Sequence, residues 1–258
     1  MNILFTLCGR AGSKGVRGKN ARDFLEVPLV WYSMAGIKLY IEKYLKPEDH
    51  VDVVLNTDSE DLIKLVEKVK DLQVGVLRRD ASLAGDKVAK SAVIKDCLKR
   101  AKELYGIEYD EVVDLDITSP LRTVQDIKNV IDKKKERDDV NVVFSVTNSR
   151  RNPYFNMVKE EKGVYVRGIS SDFTTRQEAP VFYDMNASIY AYSPDALENK
   201  DNSTIFSCAD ISLMFDTGIL DIDSEEDYEL MQVIAKYLFE KREEFNAVFN
   251  TVKQWDQK

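Results

Sequence analysis

The sequence predicts an α/β fold built on a doubly wound, mostly parallel sheet, Rossmann-like in architecture. Short apolar, β-branched runs alternate with helical stretches over the first 146 residues, which is the pattern of a parallel sheet. A polar turn follows each of these runs, and the chemistry-bearing residues cluster in those turns. Doubly wound sheets bind ligands beyond the carboxyl ends of their strands, so the turns share one edge.

Residues 3–7 read as a buried strand, and the stretch LCGRAGSKGVRGKN follows it at 7–20. Glycines recur there at every third position, Gly9, Gly12, Gly15 and Gly18. Arg10, Lys14, Arg17, Lys19 and Arg22 supply cations with no acid before Asp23. Glycine permits positive φ and close approach of backbone N–H groups, which together form an anion-binding nest. In a chain of net charge −8 such a basic loop fits a polyphosphate; the plainer reading is a solvated basic turn. Two other phosphate motifs are excluded. A Walker loop needs Gly where Ser13 stands and Ser or Thr where Asn20 stands, and the dinucleotide fingerprint needs G-x-G.

Residues 28–45 are apolar nearly all round, as a helix buried against a sheet requires. Residues 51–56 form a strand, and Ser59 is placed to cap a helix over 60–70. A strand at 74–77 leads into the loop RRDASLAGDK, and an amphipathic helix covers 87–105. The strand 111–116 enters TSPLRT, a polar helix runs to about 137, and 140–146 is a fifth strand. The rhythm then breaks. Residues 150–180 have no helical period and contain a hairpin across 160–163; strands return at 188–192 and 211–220, then a helix at 225–240. We read 1–258 as a single domain, with 147–195 as an irregular lid or dimerisation insert.

Composition narrows the chemistry. With 44 % hydrophobic and 32 % charged residues the chain suits a soluble globular protein. Its acidic balance argues against nucleic acid as a partner. No apolar run is long enough for a membrane span, and the first residues read as a strand rather than a signal peptide. Cys8, Cys97 and Cys208 are too scattered for a disulfide framework or zinc site, which suits a reducing cytoplasm. His50 is the only histidine, so Ser–His and Cys–His nucleophiles are improbable and the work falls on Arg, Lys, Asp and a metal.

The second chemical stretch is LDID at 220–223. On a strand, Asp221 and Asp223 would share a face, and two convergent carboxylates suit Mg2+. The same acids also suit a helix N-terminus. An EF-hand is excluded, because no glycine holds its sixth place.

With these pieces in hand, the sequence resembles the acylneuraminate cytidylyltransferases, also called CMP-sialic acid synthetases. The family form R-x-x-S-K-G-x-x-x-K-N is met by Arg10, Ser13, Lys14, Gly15, Lys19 and Asn20. T-S-P-L-R-T recurs at Thr118 to Thr123, R-Q-x-x-P at Arg176 to Pro180, N-x-x-I-Y at Asn186 to Tyr190, and D-I-D at Asp221 to Asp223. Enzymes acting on the eight-carbon sugar Kdo look alike in fold but lack the SKGxxxKN string.

The resemblance implies that CTP and a nine-carbon α-keto acid sugar give CMP-sugar and pyrophosphate. It implies catalytic roles for Arg10, Lys19 and Asp223, and nucleotide contacts from Arg10, Ser13, Lys14, Lys19 and Asn20. One of Arg78 and Arg79 would read cytosine. Asp116, Thr118, Ser119, Arg122, Arg176, Tyr183 and Asn186 would face the sugar, and Asp221 and Asp223 would hold Mg2+. A homodimer whose insert closes over the partner's site is also implied.

Two departures bear on the sugar. Asp116-Ile117 stands where sialic acid members usually carry Gln-Pro, and a carboxylate there would lose donors and repel a sugar carboxylate. Tyr183-Asp184-Met185-Asn186-Ala187 stands where many members have an arginine-containing version ending Asn-Gly. Both point toward the legionaminic acid branch. Two other readings compete with this one. A metal-dependent glycosyltransferase would consume a sugar nucleotide and release no pyrophosphate; a nucleotide sensor would bind without turnover.

Overall fold

The computed structural model describes residues 1–12, 16, 18–219 and 221–257. The chain enters along β1 (Asn2–Gly9), whose Ile3, Leu4, Phe5 and Leu7 are fully buried. A short hairpin of β2 (Asp23–Phe24) and β3 (Val27–Pro28) precedes α1 (Leu29–Tyr44). The predicted alternation follows: β4 (His50–Thr57), α2 (Glu60–Lys68), β5 (Gly75–Arg78), α3 (Lys90–Tyr105), β6 (Glu111–Leu115), α4 (Val124–Glu136) and β7 (Val142–Asn148). Ser59 caps α2 as expected, its Oγ accepting from the Leu62 N–H at 3.2 Å. The irregular segment carries the hairpin of β8 (Val158–Glu161) and β9 (Val164–Arg167), turning on Lys162 and Gly163 at positive φ. Then come β10 (Tyr183–Tyr192), α5 (Pro194–Asn199), α6 (Asn202–Ile205), β11 (Ala209–Leu213), α7 (Glu225–Lys241) and α8 (Glu243–Asp256).

Seven strands make the central sheet in the order β11-β7-β10-β6-β1-β4-β5. Every pairing is parallel except those of β10, which runs antiparallel to both β6 and β7. Within β1, β4 and β5, Gly9 pairs with Thr57 and Thr57 with Arg78, so three strands end in line. That alignment sets their following loops side by side, as a doubly wound sheet should.

Three features differ from the sequence reading. First, β10 starts at Tyr183, and its register shifts between Met185 and Tyr190 beside Ala187 at φ 52°. The part of 147–195 that stands off the sheet is therefore 149–182. Second, β11 stops at Leu213, so Asp221 and Asp223 sit on a loop and not on a strand. The Gly218 N–H donates to Asp216 Oδ1 at 2.8 Å with Gly218 at φ 81°, a turn between the strand end and the acidic loop. Third, α8 follows α7 after one extended residue, Arg242. It buries Phe245, Val248, Val252 and Trp255, and the Trp255 ring meets Trp31 of α1 edge-on at 6.1 Å.

At the opposite end of the sheet from those loops, Glu111 is buried at the start of β6, and its Oε2 has no hydrogen-bond partner. Burial pushes its pKa up to about 7, with Lys135 and Lys134 offsetting only part of the effect. A carboxyl whose folded pKa is raised stabilises the fold below its unfolded value near 4.5, and that stability is lost as pH rises through 7. Glu111→Gln is expected to add about 2 kcal/mol at pH 8, seen as a rise of several degrees in melting temperature, and almost nothing at pH 4. A shift of equal size at both pH values would contradict this account.

Candidate active site

The first loop is fixed at both ends. Gly9 is needed for close approach: a Cβ there would lie 2.6 Å from Leu62 Cδ2 and 3.0 Å from Ile117 Cδ1. The Ala11 N–H donates to Asp58 Oδ1 at 2.8 Å. Gly18, at φ 63°, opens a single 3-10 turn over Lys19–Ala21. Asn20 is buried there, and its Nδ2 donates to the Arg10 carbonyl at 3.1 Å. Lys19 then crosses the cleft. Its Nζ donates to the Ile222 carbonyl at 2.7 Å and to Asp223 Oδ1 at 3.0 Å. Arg22 adds a second tie, pairing with Glu225 and lying 3.9 Å above the Tyr228 ring. Ser13 and Lys14, together with Gly15 and Arg17 of the same motif, lie outside the described residues.

The two arginines after β5 part company. Arg78 is exposed and pairs with Glu60 away from the cleft. The Arg79 backbone N–H donates to the Thr57 carbonyl at 2.8 Å. Its side chain turns inward, Nε donating to Asn56 Oδ1 at 2.7 Å and Nη2 to the Asn56 carbonyl at 2.9 Å. Arg79 therefore lines the cleft with a fixed guanidinium. Arg10 faces it across the loop that follows, 2.5 Å from Asp86 Oδ1.

Asp116 and Thr118 form the floor beyond β6. Asp116 Oδ1 accepts from the Thr118 N–H at 2.9 Å and from Thr118 Oγ1 at 2.7 Å, while Oδ2 lies 2.6 Å from Lys90 Nζ. Burial alone would raise the Asp116 pKa, but Lys90 and Thr118 reverse it and hold the carboxyl well below its usual range. Lys90, shared with Asp114, offsets part of the Asp116 charge, so the expected repulsion of a sugar carboxylate is weakened and not removed. Lys90 is the main residue that sequence reasoning missed. Nothing in its spacing separates it from Lys87; only the packing of α3 against the sheet brings it to the floor.

The acidic loop closes the site. The Ile222 N–H donates to the Thr118 carbonyl at 3.1 Å and the Ile222 side chain is fully buried, so Asp221 and Asp223 turn toward the cleft. The acids after them do start a helix, as the plainer reading held. That capping box uses Ser224 and Asp227, which leaves the other two carboxylates free for the cleft. Burial, then Asp223 and Asp116, push the Asp221 pKa up to about 6 despite Lys19. Excess negative charge of this kind calls for a cation.

Together these groups line a cleft of about 380 Å3, running from Arg79 and Leu83 across Arg10 to Asp221 and Asp223. Among the described residues no three acidic, His or Cys side chains converge as a metal cage. Mg2+ needs none, since one or two carboxylates suffice when phosphate and water supply the rest. Ser119, Arg122 and Asn186 lie beneath the floor. Arg122 is only 1 % exposed, and its Nη2 donates to the Asp116 and Ser119 carbonyls. Asn186 Oδ1 accepts from Ser145 Oγ at 2.6 Å, and the Asn186 carbonyl accepts from Ser119 Oγ at 3.4 Å. Arg176 and Tyr183 are exposed on and beside the segment that stands off the sheet, away from this cleft. His50 opens β4 on the surface, 2.9 Å from Asp52.

Comparison with known proteins fits this geometry. The cytidylyltransferase family profile matches residues 7–251. The chain is 36 % identical over 237 residues to post-translational flagellin modification protein B of Campylobacter coli, covering 91 % of this chain and 95 % of that one. It is likewise 36 % identical over 232 residues to CMP-N,N′-diacetyllegionaminic acid synthase of Campylobacter jejuni, covering 90 % and 94 %. In fold it is similar to CMP:2-keto-3-deoxy-manno-octonic acid synthetase complexed with CTP. The TM-score is 0.62 at 12 % identity, covering 92 % of this chain and 99 % of that one.

Proposed function

Because the chain belongs to the cytidylyltransferase family, we propose that it joins CTP to a nonulosonic acid of the legionaminic or sialic type, releasing pyrophosphate. One observation carries this reading above the others. Lys19 touches Asp223 and the Ile222 carbonyl, so the cationic loop and the acidic pair border one cleft.

The chain's own residues supply most of the reaction. Arg79, pinned by Asn56, reads the cytosine edge at one end. Arg10, Lys19 and Asn20, with Ser13 and Lys14 of the same loop, hold the triphosphate. Arg10 and Lys19 then stabilise the pyrophosphate as it departs in an in-line displacement at the α-phosphorus. Asp116 and Thr118 orient the sugar, and Ser119, Arg122 and Asn186 keep that loop in place from below. Asp223, 72 % exposed, takes the proton of the attacking hydroxyl once Lys19 has turned to phosphate. Asp221 and Asp223 are the residues that would hold Mg2+, and the raised proton affinity of Asp221 fits that role. When bound, the ion would supply charge neutralisation at phosphate and lower the hydroxyl pKa.

The remaining partners belong to the same reading. No helix among the described residues is long and apolar enough to cross a membrane. A cytoplasmic location fits a biosynthetic enzyme that consumes CTP. The segment 149–182 exposes Phe155, Met157, Val158, Tyr165 and Ile169, a surface suited to a homodimer. In that dimer Arg176 and Tyr183 serve the partner's cleft.

A pyrophosphate-release assay crossing all four nucleoside triphosphates with a panel of nonulosonic acids tests the proposal. Release is expected only with CTP plus an acid sugar. Consumption of a sugar nucleotide without pyrophosphate would mark a glycosyltransferase, and CTP binding without turnover a sensor.

A further inference from the structure

Lys90 heads α3 and belongs to none of the motifs described above. Its Nζ lies 2.7 Å from Asp114 Oδ2 and 2.6 Å from Asp116 Oδ2. The two carboxylates differ in what they can reach. Asp114 is fully buried, and its Oδ1 accepts from Thr6 Oγ1 at 2.8 Å, so it anchors the lysine from inside. The Asp116 side chain keeps 19 % of its surface and that of Lys90 35 %, and both line the cleft.

An ammonium has three N–H donors. One is given to Asp116 Oδ2 and the Asp114 carboxylate holds the ammonium as an ion pair, which leaves donor capacity for the cleft, beside Asp116 Oδ2 with its remaining acceptor capacity. A fixed donor next to a fixed acceptor is the complement of a hydroxyl, which both donates and accepts. A lone lysine would instead favour an anion, and a lone aspartate would repel one. We propose that Lys90 and Asp116 act as one specificity unit that reads a hydroxyl of the bound substrates, on the ribose or on the acceptor sugar. The inference rests on the reading of this cleft as the CTP and sugar site.

The experiment uses the full chain and four variants, Lys90→Met, Lys90→Arg, Asp116→Asn and the Lys90→Met/Asp116→Asn double. Each is titrated by calorimetry with CTP and 2′-deoxy-CTP and, in the presence of CTP analogue, with N-acetylneuraminic and N,N′-diacetyllegionaminic acids. The same ligands are compared by kcat/KM. Lys90→Arg keeps the charge that balances Asp114 and Asp116 while displacing the donor, so it guards against misfolding of Lys90→Met.

Each variant is expected to lose about 10- to 100-fold for the ligand carrying the hydroxyl, the worth of a charge-assisted hydrogen bond. Loss on CTP but not on 2′-deoxy-CTP assigns the ribose. A changed ranking of the two acids assigns the sugar. The Lys90→Met/Asp116→Asn double variant should lose little more than either single variant, as coupled residues do. Equal losses on every ligand, or none on any, overturn the proposal and leave Lys90 a purely structural counter-ion. A wild-type protein that binds these ligands but releases no pyrophosphate defeats the synthetase reading alone, because the titrations still decide Lys90.

Discussion

Asp223→Asn is expected to lower turnover by about 1,000-fold or more while CTP affinity changes only a few-fold. Asparagine keeps the size of the side chain but neither accepts a proton at neutral pH nor neutralises a cation. The side chain is exposed, so its loss leaves no cavity, and the helix that follows is capped by Ser224 and Asp227. The folded state should therefore survive with an unchanged melting temperature. Single-turnover pyrophosphate release, measured beside CTP titration, separates the two effects. Near-normal turnover with intact CTP affinity would remove Asp223 from the chemistry.

Lys19→Ala should act on both binding and rate, with kcat/KM for CTP falling about 100- to 1,000-fold. Its ammonium is the group that reaches from the first loop to the acidic one. Charge that builds on departing pyrophosphate amplifies what the lysine contributes to the ground state. The side chain is only 19 % exposed but belongs to neither apolar core, so circular dichroism should match the parent and melting should fall only slightly with the loss of its two bonds to the acidic loop. If CTP affinity and rate both stay normal, the triphosphate lies elsewhere.

Much of the fold could be read from local pattern, because β1 and β4 to β7 are apolar runs closed by polar turns. Other parts depend on tertiary partners. The direction of β10 is set by its neighbours β6 and β7, and one sequence does not state strand polarity. The end of α7 was legible, whereas α8 hides behind Arg242-Glu243-Glu244, a charged start that reads as a tail. Its apolar spacing at 245, 248, 252 and 255 was the available signal. Arg10, Lys19, Asn20, Asp221 and Asp223, far apart in sequence, line one cleft. Which of Arg78 and Arg79 lines the cleft needed the strand end, where one side chain turns out to Glu60 and the other in to Asn56. Lys90 could not be found from spacing, and it changes what Asp116 means.

The contact between Lys19 and Asp223 has a consequence for the sequence of events. One Asp223 oxygen is occupied by the Lys19 ammonium in the free protein. On the function proposed above, a triphosphate that drew Lys19 away would free that carboxylate, so nucleotide would have to bind before the acceptor could react.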